Sequence, residues 1–248
     1  MTALVVAPHP DDETLGAGIW MHRHSQGHVY ILHVTDGSPR DMQNAHELGI
    51  ATREEYTAIR SREVRVALDL ISIPARNRLQ CSFTDKDTYL NLTALVAQLD
   101  SHVAAVNPSL VLAPAYEGGH PDHDAVAFAV AAVHKRRPSF EHWEFPLYHA
   151  NAKGDMVSGT FVSPIRCCPE EVIVLTSEEC LLKSQMLGCF ETQKEILQRF
   201  TVDCERFRRA PVYDFTKAPH PGALLYERWG WGISGEAWRH RAREALSA

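Results

Sequence analysis

The chain has 248 residues, of which 45% are hydrophobic and 23% charged, and its formal net charge is −6. That composition belongs to a folded globular protein and excludes disordered, collagenous and coiled-coil chains. The negative balance leaves no global basic field for nucleic acid, and no stretch reaches the roughly 20 apolar residues of a membrane span. The start, MTALVVAPHPDDE, runs from an apolar strand straight into charge, without the basic region and long apolar region of a secretory leader. The six cysteines (Cys81, Cys167, Cys168, Cys180, Cys189, Cys204) form no CxxC pair and read as free thiols in a reducing compartment. We therefore expect a cytoplasmic protein.

In chain order, Leu4–Ala7 is apolar on both faces, as a strand buried in a parallel sheet must be. A helix is expected over 13–25, ending near Gly27, and a second strand over 29–34. Residues 39–52 are polar with weak periodicity and read as a surface loop. A helix over 54–71 stops at Pro74, and 78–83 reads as a short strand. Leu92, Leu95, Val96, Leu99, Val103 and Val106 make a helical stripe, broken at Asn107-Pro108. Residues 110–113 form a third strand, and Ala125, Phe128, Ala129, Ala132 and Val133 a further helical face. Strands are expected at 142–148 and 172–175, with a helix over 177–187 or on to 200. The tail, 227–235, is rich in Gly and Trp. Strand and helix alternate as in a parallel sheet covered on both faces, so the fold class is α/β. With no repeat, low-complexity run or linker, we expect one domain over 1–248. The weaker boundary candidate is 150–158.

Two polar clusters follow two of these strands: His9-Pro10-Asp11-Asp12-Glu13 and His120-Pro121-Asp122-His123-Asp124. Ligands of an open α/β sheet bind outside the carboxyl ends of its strands, so both clusters can converge on one crevice. Each alone also reads as a turn whose Pro sets φ and whose Asp caps a helix. Together they suit a catalytic zinc, which takes a few N and O ligands and keeps one position open. His9, one of Asp11 or Asp12, and one of His120 or His123 would make a His₂Asp set. A leftover carboxylate and a leftover histidine would remain for proton transfer. Glu13 is expected to do structural work in the first turn of the helix.

APHPDDETLGAG and EGGHPDHDA closely resemble the two signature motifs of the PIG-L/LmbE family of zinc-dependent N-deacetylases. Arg60-Ser61-Arg62-Glu63 resembles the family's R-x-x-E helix, and Cys189-Phe190-Glu191-Thr192-Gln193 its later aromatic-x-Ser/Thr-Gln segment. The resemblance implies a Rossmann-like three-layer α/β/α sandwich with the metal at the carboxyl ends of the strands. It implies that His9, Asp12 and His123 bind Zn2+, and that Asp11 is the general base. His120 would polarise the tetrahedral intermediate or protonate the departing amine, and Asp122 would hold His120 in orientation and tautomer. A His₂Asp set also takes iron(II), cobalt or manganese.

The implied substrate is a small N-acetylated amino sugar of N-acetylglucosamine type, or its glycoside or conjugate. An amidase acting on a thiol conjugate or an antibiotic glycopeptide is the alternative. A non-catalytic metal- or sugar-binding module is the rival from another class. Arg60 and Asp85 match family substrate contacts, and Tyr116, just before the second motif, is expected to line the site. Asp36 is expected to be a turn former. For Trp229, Trp231 and Trp238, core packing is expected over an aromatic platform. The remaining histidines, His33, His149 and His220 among them, are expected to be solvated or packed. A homo-oligomer is left open, and neither a nucleic-acid partner nor a membrane span is expected.

Overall fold

A computed structural model describes residues 1–26, 28–162 and 165–247. Gly27, near which the first helix was expected to end, lies outside the described residues. The first half runs β1 (Thr2–Ala7), α1 (Asp12–His24), β2 (His28–Thr35), α2 (Gln43–Glu47), α3 (Arg53–Leu70), β3 (Arg78–Phe83), α4 (Leu92–Val106), β4 (Leu110–Pro114) and α5 (Pro121–Arg136). There follow β5 (Glu141–Phe145), β6 (Tyr148–Ala150), β7 (Met156–Ser158), β8 (Glu171–Val174), α6 (Ser177–Leu187), α7 (Lys194–Leu197), β9 (Cys204–Arg209), α8 (Leu225–Arg228) and α9 (Gly235–Ser247).

Seven strands make one sheet in the order β3-β2-β1-β4-β5-β9-β8. The pairs from β3 through β5 are parallel, whereas β9 pairs antiparallel with both β5 and β8. Alternation along β1 sorts the core into two layers. Leu4 and Val6 pack with residues of α4, α5 and α9 on one face. Ala3 and Val5 pack with residues of α1, α3 and α6 on the other. The sheet is thus sandwiched between helices.

The strand order reverses between β1 and β4, which lie side by side with Val5 opposite Leu112. This switch point leaves a crevice outside the carboxyl ends of the two strands. Both histidine–aspartate clusters emerge there.

Four segments differ from expectation. The 39–52 loop contains α2, because Met42, Ala45, Ile50 and Tyr56 bury a small core of their own. The strand expected over 142–148 divides at Pro146, which has no N–H to extend the ladder, and 150–158 forms the β6/β7 hairpin. β9 escapes a hydrophobic reading because its sequence, CERFRR, is polar. Its Glu205 is buried against Lys183, 2.8 Å away, and accepts the N–H groups of Ile19 and Trp20. Its Arg208 is buried against Glu144 at 2.6 Å. α9 lies beyond the Gly-rich tail and buries Trp238 and Ala242 in the main core.

Candidate metal centre and catalytic cavity

At the end of β1 the chain turns through Asp11, whose φ of 147° and ψ of −30° are rare for a residue with a side chain. Buried groups hold this turn. Glu13 is fully buried, and its Oε2 accepts the Asp11 backbone N–H and His33 Nε2, each at 3.0 Å. Arg60, buried on α3, donates through Nη2 to the Pro10 carbonyl at 2.7 Å and to Asp11 Oδ2 at 3.1 Å. The structure therefore gives Glu13 and His33 a definite task, fixing the backbone that presents Asp11. His33 had carried no sequence signal, since its partner lies a strand away.

At the end of β4, His120 is the N-cap of α5 and Pro121 its first residue. The Asp122 backbone N–H donates to His120 Nδ1 at 3.1 Å, so the His120 proton sits on Nε2. Gly119 is needed beside it, because a Cβ there would stand 1.9 Å from the Tyr148 carbonyl oxygen.

The two clusters meet. Asp12 Oδ2 lies 3.0 Å from His9 Nδ1 and 3.4 Å from His123 Nε2. The donor atoms of His9, His120 and His123 fall within 4.8 Å of one another, as do those of His9, Asp85, His120 and Asp122. This is a buried His/Asp cluster able to hold a metal ion, and His123 Nδ1 is buried with no hydrogen-bond partner among the described residues. Asp85 Oδ1 stands 3.2 Å from His9 Nε2 and 3.6 Å from His120 Nε2.

Burial sets the direction of the pKa shifts, and neighbouring charges decide where each group ends. Burial opposes charge on His9, but Asp85, Asp12 and Asp122 outweigh it and raise its pKa well above the ordinary value. Burial pushes Asp11 up to about 8, against the pull of Arg60 and with the help of Asp12. Burial and then the His9 charge push His120 well below the ordinary value, leaving a neutral imidazole. Asp12 and Asp85 stay below the ordinary carboxylate range despite burial. His123 and His9 hold the first down, and His9 and His120 the second.

A cavity of about 400 Å³ opens onto these groups. It is lined by His9, Asp11, Asp12, Arg60, Asp85, His120 and His123, which were expected at the site. Asp122 is fully buried and acts differently from the sequence reading. Its Oδ2 is 4.0 Å from His120 Nδ1, while its carboxylate takes His9 Nε2 at 3.1 Å, the Lys86 N–H at 2.7 Å and Thr88. Asp122 therefore orients His120 through its backbone, and its carboxylate anchors the loop carrying Asp85.

Tyr116 is a correction. Its ring packs against Trp238 and Phe215, and its hydroxyl donates to the Lys217 carbonyl at 2.9 Å. Tyr116 points into the core because residues just after a strand end alternate sides, and its neighbour Glu117 points toward Leu147 instead. The three tryptophans also divide. Trp238 is fully buried, but Trp229 and Trp231 line the cavity, with the Trp231 ring 4.9 Å from that of His120. Asp36 pairs with Arg53 and accepts the Ser38 N–H at 3.0 Å, as a turn former does. His149 and His220 are buried near Glu117, away from this cavity.

Gln193, from the later of the two weaker motifs, also lines the cavity, as do Lys86, Tyr56, Tyr148 and Phe200, which had carried no separate signal. The two weaker motifs nevertheless meet in space. Glu63 accepts the Thr192 N–H at 2.9 Å and its hydroxyl at 2.6 Å, and Gln193 Nε2 donates to the Tyr56 hydroxyl at 2.8 Å.

Residues 4–134 match the family model described as PIG-L: GlcNAc-PI de-N-acetylase. A probable N-acetyl-alpha-D-glucosaminyl L-malate deacetylase 2 of Bacillus cereus is 31% identical over 151 residues, 60% of this chain and 66% of that protein. A Bacillus anthracis protein of the same name is 31% identical over 148 residues, 55% of this chain and 63% of that protein. The chain thus spans slightly less than two thirds of these relatives. A solved deacetylase of the teicoplanin biosynthesis pathway superposes with a TM-score of 0.67 at 18% identity, covering 84% of this chain and 97% of the other. The N,N'-diacetylchitobiose deacetylase of Pyrococcus horikoshii gives 0.60 at 18% identity, covering 85% and 84%. At such identities the likeness is one of fold. The family match takes in both strand-end clusters and more than half of the residues, and the chain belongs to the PIG-L family.

Proposed function

We propose that this chain is a zinc-dependent N-deacetylase that removes the acetyl group from an N-acetylglucosamine unit carried on a glycoside or conjugate. One observation carries the reading. A His₂Asp donor set, His9, Asp12 and His123, stands beside one spare buried carboxylate, Asp11, and one neutral imidazole, His120. A pure binding site has no use for the last two.

The donor chemistry suits the metal, since zinc takes imidazole nitrogens and carboxylate oxygens, and Asp12 Oδ2 lies 3.0 Å from His9 Nδ1 and 3.4 Å from His123 Nε2. When bound, zinc polarises a carbonyl oxygen and acidifies a water, which an amide needs because it is a poor electrophile. His9, Asp12 and His123 would hold it.

The remaining steps belong to the chain. Asp11, braced by Arg60, accepts a proton from the attacking water. His120 presents its Nε2–H to the oxygen that gains charge as water adds to the acetyl carbon. The proton taken by Asp11 is returned to the nitrogen as the C–N bond breaks, leaving acetate and a free amine. Arg60 Nε and Nη1 are buried without hydrogen-bond partners among the described residues and remain to bind sugar hydroxyls. Strands β5, β8 and β9 and helix α9 lie beyond the family match yet join the same sheet and core, so we read the chain as one folding unit.

The test is acetate release from a panel of N-acetylglucosamine glycosides, with and without chelator. The reading expects acetate that chelator abolishes and zinc restores. Acetate that is insensitive to chelator, or none from any glycoside with metal bound, would contradict it.

A further inference from the structure

A second cavity of about 560 Å³ adjoins the catalytic one. The two share Asn44, Gln193, Ile196 and Trp229 as lining, and both open to solvent, so they form successive stretches of one groove. We propose that this second stretch is a subsite for another uncharged pyranose ring, with Trp229 as the wall between the two rings. The proposal rests on the deacetylase reading above, and it names the part of the substrate beyond the reacting sugar.

The chemistry of the lining selects the occupant. Three carboxylates, Glu47, Glu191 and Glu195, stand against two cations, Lys194 and Arg199. With one carboxylate in excess, the stretch offers no net attraction to a phosphate or dicarboxylate. Its apolar side chains are Leu48, Ile196 and Trp229, too few to enclose a lipid chain. What remains is a half-buried indole flanked by side-chain amides. A pyranose has an apolar C–H face and a rim of hydroxyls, which an aromatic face and planar amides match together.

Those amides have capacity to spare. Gln193 Nε2 is committed to Tyr56 and to the Thr192 carbonyl, so among the described residues its oxygen is left to accept. The Asn44 side chain makes no hydrogen bond among the described residues and is exposed.

The backbone fixes the indole. Gly230 and Gly232, at φ of 71° and 75°, flank Trp231 in a conformation that other residues adopt only with strain. The rings of Trp229 and Trp231 stand 5.1 Å apart, and that of Trp229 lies 5.8 Å from Tyr148. Trp231 in turn covers His120 at 4.9 Å. An aromatic corner thus runs from the His120 imidazole to the second stretch.

The experiment is titration calorimetry on zinc-loaded Asp11→Asn, which halts turnover. The probes are the methyl glycoside of N-acetylglucosamine, N,N'-diacetylchitobiose and the malate glycoside of N-acetylglucosamine. The proposal expects the disaccharide to bind at least about 10-fold tighter than the methyl glycoside, and the malate glycoside no tighter. Trp229→Ala in the same background should weaken the disaccharide more than the methyl glycoside and so erase the disaccharide advantage. If that variant does not fold, Asn44→Ala, on the exposed face of α2, should reduce the same ratio. Equal affinities for disaccharide and methyl glycoside, tightest binding of the malate glycoside, or an unchanged ratio in a folded variant would overturn it. Because the readout is binding, a protein that releases no acetate still reports on the subsite. Acetate release from the methyl glycoside by the unaltered chain separately judges the deacetylase reading.

Discussion

The tripeptide His-Pro-Asp follows both β1 and β4, yet it rides on two different backbones. In the β4 cluster the helix begins on the tripeptide itself, with His120 as N-cap and Pro121 as first residue. That arrangement is locally favourable, since Pro presets the helical φ and its missing N–H has no partner to lose. In the β1 cluster the helix starts two residues further along the motif, with Asp11 as its N-cap at a φ of 147°. Such a conformation costs about 1–3 kcal/mol and persists only where surroundings over-determine it. Glu13, His33 and Arg60 are those surroundings. The late start leaves Asp11 facing the cavity, while Asp12 reaches both His9 and His123. The β4 turn presents its histidines by local rules, and the β1 turn presents its carboxylate by tertiary force.

The largest expected effect tests whether the clusters act as one centre. Asp12→Ala after β1 and His123→Ala after β4 should each lower zinc affinity by more than about 100-fold, the upper end of changes beyond the ligands themselves. Metal content after dialysis would measure it, and full retention in either variant would break the symmetry.

The next effect probes the asymmetry. Glu13→Ala strips acceptors from two buried donors and should lower stability by about 2–6 kcal/mol, at about 1–3 for each donor. Thr88→Val, which removes only the hydroxyl donor to Asp122, should cost about 1–2 kcal/mol. Denaturant titration compares them, and equal losses would mean that the β1 turn needs no special support.

A third prediction concerns pH in the metal-free chain. The Asp11 carboxyl is raised to about 8 in the folded state, and Asp124 and Glu144 to about 7. Each holds a proton in the folded chain that the unfolded chain releases near pH 4. The folded state therefore binds more protons between those values, and their contribution to stability falls as pH rises from about 4 to about 8. Asp11→Asn should flatten the upper part of that slope in melting curves, and an unchanged slope would argue against a buried, protonated Asp11. The smallest effect is Tyr116→Phe, which should lose about 0.5–1.5 kcal/mol with its bond to the Lys217 carbonyl and leave acetate release unchanged.

Legibility in the sequence followed the range of the interactions. β1, β2 and β4 are apolar runs, and α4 carries its stripe from Leu92 to Val103, so each was readable from neighbours in sequence. The two clusters were readable because each is contiguous and ends a strand. Choosing Asp12 over Asp11 and His123 over His120 as ligands was not readable from spacing and rested on family resemblance. β9 was hidden because Glu205 and Arg208 are buried only by virtue of Lys183 and Glu144, partners distant in sequence. The same holds for His33 against Glu13, and for Trp229 and Trp231. Nothing in the tail's own composition distinguishes those two rings from the buried Trp238.

The most direct measurement pairs acetate release with metal content in the same samples of the unaltered chain and Asp11→Asn. The account predicts one zinc per chain in both, with turnover falling by about 10²–10⁴ in the variant. Undiminished turnover in a fully zinc-loaded Asp11→Asn would contradict it, because the spare carboxylate that separates an enzyme from a binding site would then have no work to do.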